Sequence, residues 1–264
     1  MNMQIKNLLV EKLNDRHNRA PVNIAFLGDS VTQGCFETFS DGEKLVGGLR
    51  DYEAVYHNLL RRKIQTIMQV PVNMINAGND GGSTPQALDR VERDVLSASP
   101  ALTVVCLGLN DAVRGPDNVN CYGDTLVKIF RKLKQQPMEI IMMTPNRMYD
   151  YVSPLLDPGS LLAKIAANTA EVQSSGLMDR YMQAARDAAA SENVVLVDAY
   201  DRWCKLHDAG VDTRRFWPIM SIIPAGRCIS SLPMRSLRQC SFKAITDKQK
   251  NRLNFSRFFV CLNG

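Results

Sequence analysis

VNIAFLGDSVTQG, residues 22–34, is the stretch that decides the fold, because a short apolar run ends in Gly28 and polar residues follow at once. An apolar run that ends in glycine is typical of a strand buried in a parallel sheet. A serine on the turn after such a strand, here Ser30, presents its hydroxyl at the edge of the sheet. The N–H groups of the following helix favour negative charge there. Taken alone, Asp29 and Ser30 are equally typical of a helix cap.

Outward from this stretch, strand-like and helix-like segments alternate along the chain. Alternation of this kind predicts βαβ units with right-handed crossovers, and hence a parallel sheet covered by helices on both faces. With 264 residues, 45% of them apolar, the chain is long enough for one such α/β domain with a substantial core. The predicted strands are 22–27, 70–75, 102–107, 138–143 and 194–197, and the predicted helices are 52–68, one starting at 84, 126–133, 177–190 and, with a turn, 203–215.

Two further polar clusters follow the second and third predicted strands, NAGNDGGST at 76–84 and GLND at 108–111. Ligands of open parallel sheets bind beyond the carboxyl ends of the strands, which is where all three clusters fall. The glycines of the second cluster allow a close backbone approach, and the Asn110 amide can donate to a developing oxyanion. Each cluster alone is also what an ordinary loop or helix cap looks like.

Together, GDS, NAG…G and GxND after successive strands resemble the SGNH hydrolases, also called GDSL-like lipases and esterases, over about residues 20–215. The resemblance implies a three-layer α/β/α sandwich with a parallel, flavodoxin-like five-stranded sheet. It implies a serine esterase that hydrolyses small acyl esters, with acetylated sugars as the leading substrate class and short-chain lipids or aryl esters behind them.

The same resemblance implies the roles of individual residues. Ser30 is the expected nucleophile, and the expected oxyanion hole consists of the backbone N–H groups of Ser30 and Gly81 and the side chain of Asn110. We prefer Gly81 to Gly78 because it lies just before the small polar residues that open the next helix. Asp29 is expected to shape the turn and, with Asn79, to border the bound substrate.

The general base is missing from this pattern. A serine nucleophile needs a base, and the resembled family takes it from a late DxxH-type block. The only histidines are His17, His57 and His207, and none follows residue 207. We expect His17 and His57 to be surface or packing residues, whereas His207 remains a candidate base. The chain is therefore expected to be an impaired esterase; the alternative is a non-catalytic carbohydrate- or acyl-binding module of the same fold.

Residues 216–264 differ in composition from the body of the chain. They hold eight of the 32 basic residues and one of the 27 acidic residues, so residues 1–215 carry a slight negative charge and the tail carries the whole excess of +5. We divide the chain into an esterase domain, 1–215, and an aberrant basic tail, 216–264. Our hypothesis is that a one-nucleotide deletion near codon 215 shifted the reading frame. The other frame admits leucine at position 217, alanine at 218, histidine at 223 and proline at 224. In the present frame, Ile223 occupies the position where the catalytic histidine is expected.

A nucleic-acid-binding arm is the competing interpretation of this tail, supported by its charge and by Phe255, Phe258 and Phe259. We prefer the shifted frame because the composition changes abruptly, and we expect no nucleic-acid partner. The expected partner is a small-molecule ester, and the oligomeric state is left open.

No cofactor or metal is expected. The seven cysteines form no CxxC pair, their odd number favours reduced thiols, and no histidine lies near a cysteine pair at ligand spacing. The sequence contains no run of eighteen apolar residues, which would predict a membrane span. Residues 1–19 lack the apolar core of a signal peptide. A cytoplasmic protein without a membrane partner is expected.

Overall fold

The computed structural model describes residues 4–212. The predictions made for the basic tail, including its separate character and its shifted frame, lie outside these residues. Within them the strands are β1 Val22–Gly28, β2 Cys35–Ser40, β3 Leu45–Arg50, β4 Val72–Gly78, β5 Leu102–Cys106, β6 Glu139–Met143 and β7 Val195–Val197. The helices are α1 Gln4–Asn14, α2 Ser30–Gln33, α3 Tyr56–Met68, α4 Thr84–Asp94, α5 Leu109–Ala112, α6 Val119–Leu133, α7 Leu161–Ser174, α8 Leu177–Ser191 and α9 Ala199–Asp208.

The central sheet has five parallel strands in the order β4-β1-β5-β6-β7, which confirms the predicted fold class. Helix α6 contacts both α4 and α8, and α1 contacts α3. Strand β1 lies within the sheet, and its Ile24, Phe26 and Leu27 are inaccessible to solvent. The continuous apolar run of this strand therefore reflects burial on both faces.

The register of the sheet places the three polar clusters at one edge. Gly28, at the end of β1, is aligned with Gly78 at the end of β4 and with Cys106 at the end of β5. The chain leaves each of these strands in the same direction because the strands are parallel. The clusters that follow them must therefore lie side by side.

Several element boundaries differ from the predicted ones for identifiable reasons. Helix α3 begins at Tyr56 rather than at residue 52, because the Asp51 carboxylate accepts the N–H groups of Glu53 and Ala54 and holds a turn there. Strand β4 begins at Val72 rather than at residue 70, since Pro71 has no N–H to contribute to the ladder.

Other elements start earlier than predicted or were not predicted. Helix α6 begins at Val119 rather than at 126, and α9 begins at Ala199, capped by the Asp198 side chain, rather than at 203. Helices α1, α5 and α7 and the antiparallel hairpin of β2 and β3 were not predicted. The hairpin forms a separate two-stranded sheet. In chain order it lies between α3 and the turn at residues 28–34 that carries Ser30, called the serine turn below.

Candidate active site

The structure brings the three predicted clusters together at the carboxyl end of β1. The Asn79 N–H donates to the Gly28 carbonyl at 3.1 Å, which links the second cluster to the first. The Asn110 side-chain amide donates to the Gly82 carbonyl at 3.1 Å, which links the third cluster to the second. The arrangement is a single polar surface built from three turns.

Buried residues next to Ser30 fix the conformation of the serine turn. Ser30 is the first residue of the one-turn helix α2 and is partly exposed, whereas the capping Asp29 is 1% exposed. The Asp29 Oδ1 atom accepts the Val31 N–H at 3.0 Å, which fits the turn-shaping role expected of this residue. Gly28 cannot be replaced by a residue with a side chain, because a Cβ atom there would lie 2.8 Å from the Cys106 carbonyl oxygen. The contact with substrate predicted for Asp29 remains a prediction.

Two buried carboxylates lie beneath this surface. Burial first, and the nearby charge of Asp111 second, raise the pKa of Asp29 to about 7, although backbone N–H bonds to its carboxylate act in the opposite direction. Burial likewise raises the pKa of Asp111. Within residues 4–212 the Asp29 Oδ2 atom has no hydrogen-bond partner. The cost of burying two like charges therefore favours a proton on this pair near neutral pH.

The second cluster forms an exposed turn that leaves backbone donors open. The Gly82 N–H donates to the Asn79 carbonyl at 2.9 Å, and Gly81 between them has a φ of +65°. No atom lies within 4 Å of where a Gly81 Cβ would stand, so this residue faces open space. Gly78 differs, because a Cβ there would lie 2.6 Å from the Cα of Gln33. The predicted substrate neighbour Asn79 is exposed on the same turn.

The third cluster is anchored through its aspartate. The Asp111 Oδ1 atom accepts the backbone N–H of Thr84 at 3.0 Å and its hydroxyl at 2.8 Å, which fixes α5 against the start of α4. Asn110 is partly exposed, and one of its two amide N–H groups is used on Gly82. The other N–H has no partner within residues 4–212.

Three hydrogen-bond donors of these clusters have no partner in the part of the chain that the structure describes: the N–H groups of Ser30 and Gly81 and one amide hydrogen of Asn110. Unpaired donors beside a hydroxyl are what an oxyanion site requires. Their roles in catalysis remain predictions.

Arg90 is a structural residue of the site that sequence analysis missed. Its guanidinium donates to the Gly28 carbonyl at 2.8 Å and to the Ala77 carbonyl at 2.7 Å, and pairs with Asp94 at 3.0 Å. Its side chain is only 10% exposed. Arg90 thus ties together the ends of β1 and β4. The only sequence signal, a basic residue four positions before an acid on a helix, is that of an ordinary surface pair.

His17 and His57 are placed as expected, on the surface and in the core. His17 is exposed in the turn before β1, at the opposite edge of the sheet. His57 is buried under the serine turn, with its Nε2 atom 3.0 Å from the Thr32 carbonyl oxygen and its ring 5.1 Å from that of Phe26. Burial lowers the pKa of His57, which favours its neutral form.

His207 lies on α9, after the edge strand β7. In sheet order β7 is three strands from β1, roughly 14 Å at the usual spacing of about 4.8 Å. The His207 Nε2 atom lies 3.7 Å from the Asp150 carboxylate. Within residues 4–212, no hydrogen bond or ion pair joins Ser30 to a histidine.

Among residues 4–212, no group of three or more histidine, cysteine or acidic side chains is arranged to hold a metal ion. No helix among these residues has the length and apolar character needed to cross a membrane.

Comparisons with known proteins agree with the fold described above. The model of the GDSL-like Lipase/Acylhydrolase family matches residues 26–218. A catalytic mutant of an acetylxylan esterase from Geobacillus stearothermophilus is 21% identical, with a TM-score of 0.51, over 72% of this chain and 82% of that one. The acetyl xylan esterase AlAXEase is 20% identical, with a TM-score of 0.52, over 72% and 83%. These likenesses concern the fold, and no curated protein matches the chain.

Proposed function

Because the chain belongs to the GDSL-like lipase/acylhydrolase family, we propose that it is a serine esterase acting on small acyl esters through Ser30. The observation that carries the proposal is that a partly exposed serine hydroxyl and three donors without a partner within residues 4–212 belong to the turns at the carboxyl ends of β4, β1 and β5. That arrangement suits attack on an ester carbonyl, which places negative charge on its oxygen.

The proposed reaction has two steps. The Ser30 Oγ atom attacks the ester carbonyl, and the N–H groups of Ser30 and Gly81 and the Asn110 amide stabilise the oxyanion by about 3–4 kcal/mol each. The alcohol leaves with a proton, and the acyl group remains on Ser30. Water then releases the acid and restores the hydroxyl. In both steps a base must accept a proton, from Ser30 first and from water second.

The substrate class that we propose is an acetyl ester, in the first place of a carbohydrate. Gly81 faces open space and Ser30 is partly exposed, and an open site of this kind suits a short acyl group. The solved structures that share the fold include acetyl xylan esterases. That likeness supports the proposal at the level of fold.

The base is the missing component. Catalytic mutants of the Geobacillus enzyme replace a serine, an aspartate and a histidine. This chain has Ser30 on the turn after β1 but no histidine after residue 207. We propose that turnover is lower by about 10⁴–10⁶ than with a base in place, leaving what the oxyanion site and binding supply.

The shifted reading frame is our proposed cause of this loss. The nucleotide sequence tests it directly, because codons 216–264 either do or do not encode the histidine-containing string in the other frame. A gene whose codons exclude histidine at position 223 in that frame contradicts the proposal.

A second candidate function is a non-catalytic binding module that retains the cleft, and the absent histidine favours it. Labelling with a fluorophosphonate in imidazole buffer, which supplies a base, separates the two. For an esterase site, peptide mapping should find the label on Ser30, no comparable label on the other serines, and none at that turn in Ser30→Ala. Absence of selective labelling at Ser30 would support the binding module.

A further inference from the structure

A cavity of about 380 Å³ lies beside the segment that follows Asn110. Val113, the C-cap of α5, and Gly115 line one side of it, and the end of α7 and the start of α8 line the other. Because α8 leads into the parallel strand β7, its first turn lies at the same edge of the sheet as the candidate active site. None of the lining residues belongs to the three polar clusters. The cavity therefore has its own lining, and its volume is within the range of small-molecule sites.

Two opposite charges line this cavity without neutralising each other. Within residues 4–212, the Glu171 carboxylate and the Arg180 guanidinium form no ion pair and no hydrogen bond, with each other or with any other side chain. Both residues are exposed. Each charge is therefore available to a ligand in the cavity.

Each of these charges also lies at the helix end that disfavours it. Glu171 is in the last turn of α7, where the carbonyl groups carry partial negative charge. Arg180 is in the first turn of α8, where the N–H groups carry partial positive charge, and the N-cap Gly176 has no side chain to accept them. Helix stability therefore favours neither charge at its position, and residues that break a local rule in this way are expected at functional sites.

We propose that the cavity binds a zwitterionic small molecule, an α-amino acid, through these two charges. The ligand's carboxylate pairs with Arg180 at the start of α8, and its ammonium pairs with Glu171 at the end of α7. In this orientation the two side chains and the two helix ends act in the same direction. A ligand with a single charge would leave one of the two side chains without a partner.

The rest of the lining indicates the character of the amino acid's own side chain. The Asn168 amide donates to the Val113 carbonyl at 3.4 Å, and the Ser175 hydroxyl donates to the Val172 carbonyl at 3.5 Å, so both polar groups already have partners. The apolar residues of the lining are Val113, Pro116, Val172 and Leu177. An aliphatic side chain, such as that of leucine, suits this lining.

The first test measures binding to the full chain by isothermal titration calorimetry, with L-leucine and two analogues that each lack one charge. Isocaproate lacks the ammonium group, and isoamylamine lacks the carboxylate. One leucine should bind per chain, and each analogue should bind at least about tenfold more weakly. Absence of leucine binding, or equal binding of leucine and an analogue, would overturn the proposal.

The second test assigns each charge to its side chain. Arg180→Gln should weaken the binding of both leucine and isocaproate about tenfold, whereas Glu171→Gln should weaken the binding of leucine by as much and not that of isocaproate. Lys164→Gln is the matched control, because it removes a charge from an exposed residue of α7 that does not line the cavity. It should change neither affinity. Leucine affinity that is unchanged in either cavity variant, or that falls equally in the control, would contradict the assignment.

The third test separates a binding role from a structural one. Because both charges lie at helix ends that disfavour them, neither Arg180→Gln nor Glu171→Gln should lower the free energy of unfolding, as measured by urea unfolding without ligand. A loss of stability in either variant would show that its charge serves the fold and would overturn the proposal. None of these measurements depends on Ser30, so they test the cavity independently of the proposed esterase activity.

Discussion

The two candidate glycines of the second cluster are glycines for different reasons. At Gly78 a Cβ atom would lie 2.6 Å from the Gln33 Cα, which is a clash with backbone. At Gly81 the space is open, and only the φ of +65° disfavours a side chain. Gly78 therefore lets β4 approach the serine turn, whereas Gly81 lets the turn expose its N–H.

This difference predicts different stabilities for two otherwise matched variants. Gly78→Ala should lower the free energy of unfolding by about 3 kcal/mol or more, because backbone must move. Gly81→Ala should cost about 1 kcal/mol, the usual penalty for a left-handed alanine. Urea unfolding of both variants measures the difference. Equal losses would show that the second cluster is not packed as described.

The raised pKa of Asp29 predicts a pH dependence of stability. The folded chain keeps a proton on Asp29 up to about pH 7, whereas the unfolded chain releases it near the ordinary value of 3.8. The folded state binds more protons between these values, so the stability contributed by Asp29 falls as pH rises through them.

Asp29→Asn removes this contribution. The parent's unfolding free energy minus that of the variant should therefore decrease steadily from pH 4 to pH 7, as followed by urea unfolding. His57, whose lowered pKa acts in the opposite direction, is present in both chains and cancels in the difference. A difference that does not change with pH would mean that Asp29 is ionised throughout.

At the scale of elements, α4 anchors the site through its arginine. Arg90→Met removes a donor from the Ala77 carbonyl and one of the two donors from the Gly28 carbonyl, which keeps the Asn79 N–H. The variant should lower the unfolding free energy by about 1–3 kcal/mol. Arg93→Met is the matched control, because Arg93 binds the same Asp94 from the same helix with a 78% exposed side chain. Its loss should cost far less than that of Arg90, because solvent screens an ion pair made by an exposed side chain. Comparable losses in the two variants would remove the anchoring role.

Elements with strong periodicity could be predicted, and those that depend on tertiary contacts could not. Strand β1 was recognised almost to the residue because it is buried on both faces and is apolar throughout. Strand β3 reads LVGGLR, and its paired glycines resemble a loop. Helix α1 is largely polar, and its first turn is held by a distant residue, Glu139, whose carboxylate accepts the N–H groups of Gln4 and Ile5.

At the scale of the whole molecule, the site was predictable where the chain itself carries the signal. The clusters containing Ser30, Gly81 and Asn110 each follow a recognisable strand, and parallel strand order alone places them together. Arg90 was not predictable, because its partners are main-chain carbonyls on two strands that only the fold brings within reach. The sequence itself shows that no histidine follows His207, and the lack of a catalytic base remains a prediction from that fact.

The most direct test of the central claim, that Ser30 lies in a competent oxyanion site without a base, is p-nitrophenyl acetate hydrolysis across an imidazole series. The parent and Ser30→Ala should hydrolyse it equally without imidazole. The parent should then exceed the variant increasingly as imidazole replaces the missing base at the exposed turn. A parent that is faster without imidazole would contradict the missing base and make His207 the next residue to replace. Equal rates at every imidazole concentration would contradict Ser30 as the nucleophile.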